Sequence, residues 1–198
     1  MSIKEKLLHS VGAIEENYCT GDYIFREEAK PQFYYQIVKG EVKLNNYSED
    51  GKEFIQNILS DHSCFGESML FLEKPYPINA IALSKCTILK IRRSQFLQLL
   101  EVYPYIYFDI CKNLSEMTYN KLTLMQKISS KNAIERLIEV MDMLKEPHEN
   151  KDKFSFEVPH TRQQLASLTG ICVETAIRTI RKMEEKEMLM IKNRKIFY

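Results

Sequence analysis

The chain has 198 residues, 44% of them apolar, with 28 Lys and Arg against 27 Asp and Glu. That length and content suit one large or two small domains with ordinary cores, and two is the starting expectation. No run of eighteen apolar residues exists, and MSIKEKLLHS carries charge where a signal peptide needs an unbroken apolar stretch, so a soluble, cytoplasmic protein without membrane contact is expected.

The charge is unevenly divided. Residues 1–150 hold 18 basic and 21 acidic side chains, whereas residues 151–198 hold 10 and 6, a basic tail on an acidic body of the kind that meets polyanions. Cys19, Cys64, Cys86, Cys111 and Cys172 stand more than twenty positions apart, which excludes a local CxxC clip or zinc spacing. They read as reduced, mostly packed thiols, and no metal site is expected.

From Tyr23 to Arg92 the chain alternates short β-rich runs (YIF, FYYQIV, EVKLNNY, EFIQNIL, NAIAL, TILKI) with turn signals at Gly40, Asp50-Gly51, Gly66 and Pro75 to Pro77, the pattern of a β-sandwich or β-roll. The Asp50-Gly51 pair predicts a two-residue type I′ hairpin tip, because both central residues of that turn need positive φ. Ser94 is the expected cap of a short helix through Leu100. Pro104 then opens a helix to about Ser129, about 39 Å at roughly 1.5 Å per residue. Along it Ile110, Leu114, Met117, Leu124 and Ile128, interrupted by Lys121, predict a seam for pairing with a second copy; packing on the domain's own core is the other reading of the same spacing.

Ser130 is read as preceding a further amphipathic helix lined by Ile134, Leu137, Ile138, Met141 and Leu144. The expected domains are 1–103, 104–129 and 130–198.

The most specific stretch is TRQQLASLTGICVETAIRTIRKMEEKEMLMIKNRKIFY, residues 161–198. Thr161 and Gln164 make a capping box for a helix with Leu165, Ala166 and Leu168 inward, and Gly170 stops it. A second helix from about Cys172 to Lys186 turns Ala176 and Ile180 inward. A small residue, a turn glycine and an inward apolar residue at these intervals are helix-turn-helix spacing. Glu174, Ile177, Arg178 and Arg181, at i, i+3, i+4 and i+7, share the opposite face. An arginine there can donate twice to guanine in the major groove while a glutamate accepts from cytosine; the same Glu-x-x-x-Arg is also the spacing of a plain surface ion pair. The last residues predict a two-stranded wing around Asn193 and Arg194, with Lys192, Arg194 and Lys195 near phosphates.

With YYQIVKGEVKL, the EDGKE hairpin, FGESMLF, SKNAIERL and the 161–198 segment, the chain resembles the Crp/Fnr family of transcription regulators over nearly its whole length. The roll motifs alone would also suit kinase or channel cyclic-nucleotide domains; the C-terminal ones are specific. The resemblance implies an α+β fold: a cyclic-nucleotide-binding-like β-roll, a long dimerisation helix and a C-terminal winged helix-turn-helix. It implies a homodimer on a palindromic site, double-stranded DNA and RNA polymerase as partners, and no enzymatic activity. Arg162, Gln163, Val173, Glu174, Thr175, Ile177, Arg178 and Arg181 fall at DNA-contacting positions. Val173 replaces a base-reading arginine and Ile177 a serine, so a half-site related to TTGA, altered at the base facing Ile177, is expected.

The resemblance also makes Gly66, Glu67, Ser68 and Asn79 the effector-pocket candidates. The stretch that would hold a phosphate-pairing arginine reads EKPYPINA, and a phosphate buried without its cation is costly, so cyclic AMP is not expected as effector. An iron-sulfur cluster is not expected either, since only Cys19 lies near the N-terminus, and His9, His62, His148 and His160 lack the surroundings of a haem ligand. An effector of another kind is left open, as is a thiol switch at Cys19, Cys64, Cys86 or Cys111. The rival function is a cyclic-nucleotide-type or thiol-based signalling module whose C-terminal domain binds protein.

Overall fold

The computed structural model describes residues 3–128 and 132–198, apart from the side chains of 124–128. It divides into two compact units, Met1–Met117 and Thr118–Tyr198, so the division falls inside the long helix.

The first unit runs α1 (Glu5–Ser10), β1 (Ile14–Tyr18), β2 (Tyr23–Phe25), β3 (Phe33–Lys39), β4 (Val42–Tyr47), β5 (Glu53–Leu59), β6 (Cys64–Phe65), α2 (Glu67–Leu72), β7 (Asn79–Ala82), β8 (Cys86–Arg92) and α3 (Arg93–Val102), and it carries the start of α4 (Tyr105–Ile128). The strands form two four-stranded antiparallel sheets, β1-β8-β3-β6 and β2-β7-β4-β5. The β3 run FYYQIVK lacks the apolar-polar alternation of a half-exposed strand because both its faces are covered. Tyr35 and Ile37 pack with Phe25, Val42, Leu44, Phe65, Tyr76 and Ile88 in one core. Tyr34 points the other way, with Leu89 and Ile91, into a core closed by Leu8, Phe96, Leu99, Leu100, Ile106 and Ile110.

Three details differ from the sequence expectation. The hairpin tip has positive φ at Gly51, 73°, but not at Asp50, and the Gly51 amide donates to the Ser48 carbonyl at 2.8 Å. The tip is therefore a three-residue connection ending in a left-handed glycine, which suits Glu49 and Asp50 in ordinary backbone, not a two-residue type I′ turn. Ser94 caps nothing: α3 starts at Arg93, whose amide donates to the Gln32 carbonyl at 2.8 Å, so the chain passes directly from strand to helix. The third is the presence of α1, β1 and the two-residue β6, none of which the apolar runs indicate. The N-terminal segment is held through Gln36, fully buried, which accepts from the Ile3 amide at 2.8 Å and donates to its carbonyl at 2.9 Å.

The long helix α4 has 24 residues. The first two residues of its expected seam are turned inward: Ile110 is 2% exposed and Leu114 packs against the same core, with Tyr34, Leu89 and Ile91 of β3 and β8. Met117 is half-buried and Lys121 exposed, while the side chains of Leu124 and Ile128 lie outside the described residues. The other side of α4 exposes Phe108 at 73%, Tyr119 at 69% and Leu122 at 62%, with Cys111 and Ser115 exposed between them. Their spacing of three, four, four and three is an apolar-rich stripe opposite the one the sequence suggested.

The second unit contains α5 (Ala133–Lys145), α6 (Arg162–Thr169), α7 (Val173–Glu185), β9 (Met190–Lys192) and β10 (Lys195–Phe197). The cap of α5 is Asn132, whose side chain accepts from the Ile134 and Glu135 amides while Glu135 reaches back to the Asn132 amide; Ser130, the expected cap, lies outside the described residues. Leu137, Val140, Met141, Leu165, Ile180, Met183, Leu189 and Ile196 form the core. Phe156 and Val158 complete it as the 156–158 segment pairs with the outer edge of β10.

Candidate nucleic-acid interface and sensor cavity

The capping box forms as the sequence indicates, with Thr161 Oγ1 accepting from the Gln164 amide at 3.2 Å and Gln164 Oε1 from the Thr161 amide at 2.7 Å. Gly170 ends α6 in the left-handed region at φ 67°. Ala166, 1% exposed, and Ala176, fully buried, give the small contacts that let α6 and α7 approach closely. Thr179, Ile180 and Met183 complete the buried face of α7.

The opposite face is open. Glu174, Arg178 and Arg181 are exposed, and among the described residues no hydrogen bond or ion pair occupies their side chains. The Glu174–Arg178 surface pair, the other reading of that spacing, is not formed. Val173, Thr175 and Ile177 flank them half-buried, and Thr175 Oγ1 is engaged with Cys172 Sγ at 2.8 Å. Gln163 is exposed at the start of α6.

The wing turns through Asn193 at φ 52° and Arg194 at φ 66°, two consecutive left-handed residues as a type I′ turn requires. Arg162, half-buried beside Gln163, donates from Nη1 to the Arg194 carbonyl at 3.1 Å. The Ile191 amide donates to Glu184 Oε1 of α7 at 3.1 Å, and Lys195 pairs with Glu157 at 2.5 Å. Lys192 and Arg194 present the wing's uncommitted cations. The ties through Arg162, Glu184 and Glu157 were invisible in the sequence, since each joins residues that only the fold brings together.

The sensor candidates are distributed differently. Gly66 stands at φ 83° as the N-cap of α2, and a Cβ built there would meet Tyr35 Cδ2 and the Tyr76 hydroxyl at 3.4 Å and Phe25 Cε1 at 3.5 Å. Glu67 is 2% exposed, its Oε2 has no hydrogen-bond partner among the described residues, and burial raises its carboxyl above the ordinary range. Ser68 is half-buried. Asn79 is committed to the fold: its Oδ1 accepts from the Glu27 amide at 3.0 Å and its Nδ2 donates to the Asn45 carbonyl at 3.3 Å. The atoms nearest a Cβ at Gly66 belong to Tyr35, Tyr76 and Phe25, so this space is lined by aromatic rings and not by a cation that could pair with a cyclic phosphate.

The thiols are less packed than expected: only Cys64 and Cys86 are buried, and Cys19, Cys111 and Cys172 are exposed. Burial, with Glu67 close by, pushes the Cys64 thiol up to about 12, so it holds almost no thiolate at neutral pH. Maleimide labelling of the native protein at pH 8 should modify Cys19 and Cys172 and spare Cys64 and Cys86; Cys64 reacting as fast as Cys172 would contradict the packing. Among the described residues, no group of three His, Cys, Asp or Glu side chains could hold a metal ion, and no helix is long and apolar enough to cross a membrane.

The cyclic nucleotide-binding domain pattern matches residues 15–103, and the Crp-like helix-turn-helix pattern matches residues 135–197. The chain belongs to the Crp/Fnr family of transcriptional regulators. Its fold is the family's α+β arrangement, a cyclic-nucleotide-binding β-domain, a long helix and a C-terminal helix-turn-helix with a small wing. It is a Crp-like DNA-binding transcription regulator, not an enzyme. The cAMP-activated global transcriptional regulator CRP of Pasteurella multocida is 27% identical over 162 residues, 81% of this chain and 78% of that one. The HTH-type transcriptional regulator ArcR of Staphylococcus epidermidis is 24% identical over 90% of this chain and 78% of its own. In three dimensions the c-di-GMP responsive global regulator CLP of Xanthomonas campestris superposes with a TM-score of 0.83 at 20% identity, covering 98% of this Crp/Fnr chain and 96% of its own.

Proposed function

We propose that this regulator binds a two-fold palindromic duplex as a homodimer, with α7 of each copy in successive major grooves. One observation carries the reading: Glu174, Arg178 and Arg181 lie exposed and unpaired on the side of α7 opposite Ala176, Ile180 and Met183. Arg178 donates to guanine, Glu174 accepts from cytosine, and Ile177 meets a thymine methyl, giving a half-site related to TTGA. Lys192, Arg194 and Gln163 hold phosphates, which fixes register without reading sequence. RNA polymerase is the partner such a regulator addresses at a promoter.

For dimerisation, the stripe Phe108, Cys111, Ser115, Tyr119 and Leu122 replaces the seam expected from sequence, since it is exposed and Ile110 and Leu114 are not. Selection from random duplexes, followed by footprinting, tests the whole reading. The expected product is a palindrome with one guanine per half-site and half-sites about 34 Å apart, one turn of DNA. Enrichment of no sequence, or of one lacking two-fold symmetry, would overturn it.

A further inference from the structure

The segment Lys74-Pro75-Tyr76-Pro77 stands where the resemblance placed a phosphate-pairing arginine, and the fold gives it a different task. Tyr76 is 2% exposed, and its ring stacks on Phe25 with centroids 3.7 Å apart and planes within 10°. Tyr35 and Phe65, themselves stacked at 5.3 Å, and Phe25, tilted against both, continue the aromatic fill. The Tyr76 hydroxyl reaches the space over Gly66, and among the described residues it has no hydrogen-bond partner.

The backbone holds this side chain in place. The Tyr76 amide donates to the Ala29 carbonyl at 3.0 Å, and the Tyr76 carbonyl accepts from the Glu28 amide at 2.9 Å. Prolines on both sides restrict it further: Pro75 and Pro77 have fixed φ, and a residue preceding proline is confined to extended backbone. With its backbone fixed, the ring could swing aside only by giving up the stacking on Phe25 and the burial that now enclose it.

A ligand carrying a phosphate would have to displace this ring and then lie near the buried Glu67 carboxyl, with no buried lysine or arginine among the described residues to compensate. We propose that Tyr76 is a built-in occupant of the effector cavity: its ring fills the place beside Gly66 and Glu67, and the regulator binds DNA without a cyclic-nucleotide signal.

The proposal rests on the DNA-binding reading for its functional half and on the aromatic packing for its structural half, and each is tested separately. Titrating the full-length protein with cyclic AMP, cyclic GMP and cyclic di-GMP to millimolar concentration should give no saturable heat and less than a twofold change in operator affinity. Saturable binding of any of the three with a tenfold or larger change in affinity would overturn it.

Tyr76→Ala should lower the melting temperature by roughly 6–20 °C, from the usual cost of removing a buried aromatic ring in a chain of this size. p-Cresol, the tyrosine side chain as a free molecule, should restore a substantial part of that loss and bind the variant but not the parent. An unchanged melting temperature, or no p-cresol binding by a folded variant, would refute the occupancy. Should Tyr76→Ala fail to fold alone, refolding it in millimolar p-cresol should recover folded protein, and no recovery, with the parent refolding normally, would refute the occupancy. A parent protein that bound no DNA at all would remove the operator reading but leave the p-cresol result to judge the cavity.

Discussion

Arg178→Ala should weaken binding to the selected palindrome by roughly 30-fold to 10⁴-fold while leaving binding to random DNA nearly unchanged. A good bidentate arginine–guanine pair is worth about 1–3 kcal/mol, and a two-fold dimer forfeits it twice, so about 2–6 kcal/mol disappears at about 1.4 kcal/mol per factor of ten. Arg178 is exposed and, among the described residues, makes no internal bond, so the substitution takes no stabilising interaction from the fold. Lys192→Ala is the contrast: removing one phosphate-binding cation from each wing lowers affinity for every sequence alike and flattens the salt dependence by about 0.9 per phosphate released. Electrophoretic mobility shifts on specific and scrambled duplexes at two salt concentrations separate the two. Arg178→Ala lowering both duplexes equally would demote this arginine to a phosphate binder and leave the base assignment without support.

The second large effect is expected from α4. Phe108→Glu combined with Leu122→Glu should convert a dimer to a monomer of 23.4 kDa by light scattering. Operator affinity should fall by roughly 10²–10⁴-fold as the second half-site ceases to be an intramolecular event. Both side chains are exposed in the single chain, 73% and 62%, so the monomer's own stability should move by only a few tenths of a kcal/mol. Placing four carboxylates along a two-fold contact leaves them desolvated and mutually repelling, which is why the pair is more decisive than alanines. Ile110→Glu, by contrast, should unfold the β-domain, because Ile110 belongs to its core. A double variant that stayed dimeric would place the interface elsewhere.

The C-terminal half was legible because local chemistry determines it. Thr161 with Gln164, Ala166, Gly170, Ala176 and Ile180 each act within a few residues, and all took the expected roles. The same holds for the six runs read as strands between Tyr23 and Arg92, though not for the short β6 among them. The long helix was legible as a helix but not in its orientation: the 3.5-residue spacing of Ile110, Leu114 and Met117 identifies an apolar stripe without saying whether a partner or the chain's own sheet receives it. Phe108, Tyr119 and Leu122 form an equally regular stripe that composition alone does not single out. Tyr76 illustrates another limit. The missing arginine is apparent in EKPYPINA, yet that a tyrosine would stack on Phe25, some fifty residues earlier, depends on pairing between distant strands. Asn79 departs from its expected place in the pocket for the same reason, since its amide is used to join the turn at Glu27 to the strand at Asn45.

Two of the wing's ties run to the helices of the helix-turn-helix. Its turn carbonyl is tethered to the first helix of the module through Arg162, and its first strand to the second helix through Glu184. A hairpin so anchored has already given up its freedom when the chain folds, so little ordering remains to be charged against association with a duplex. The three pieces would meet the sugar-phosphate rail as a single stiff body, and slow dissociation, more than fast capture, would then set how long a promoter stays occupied.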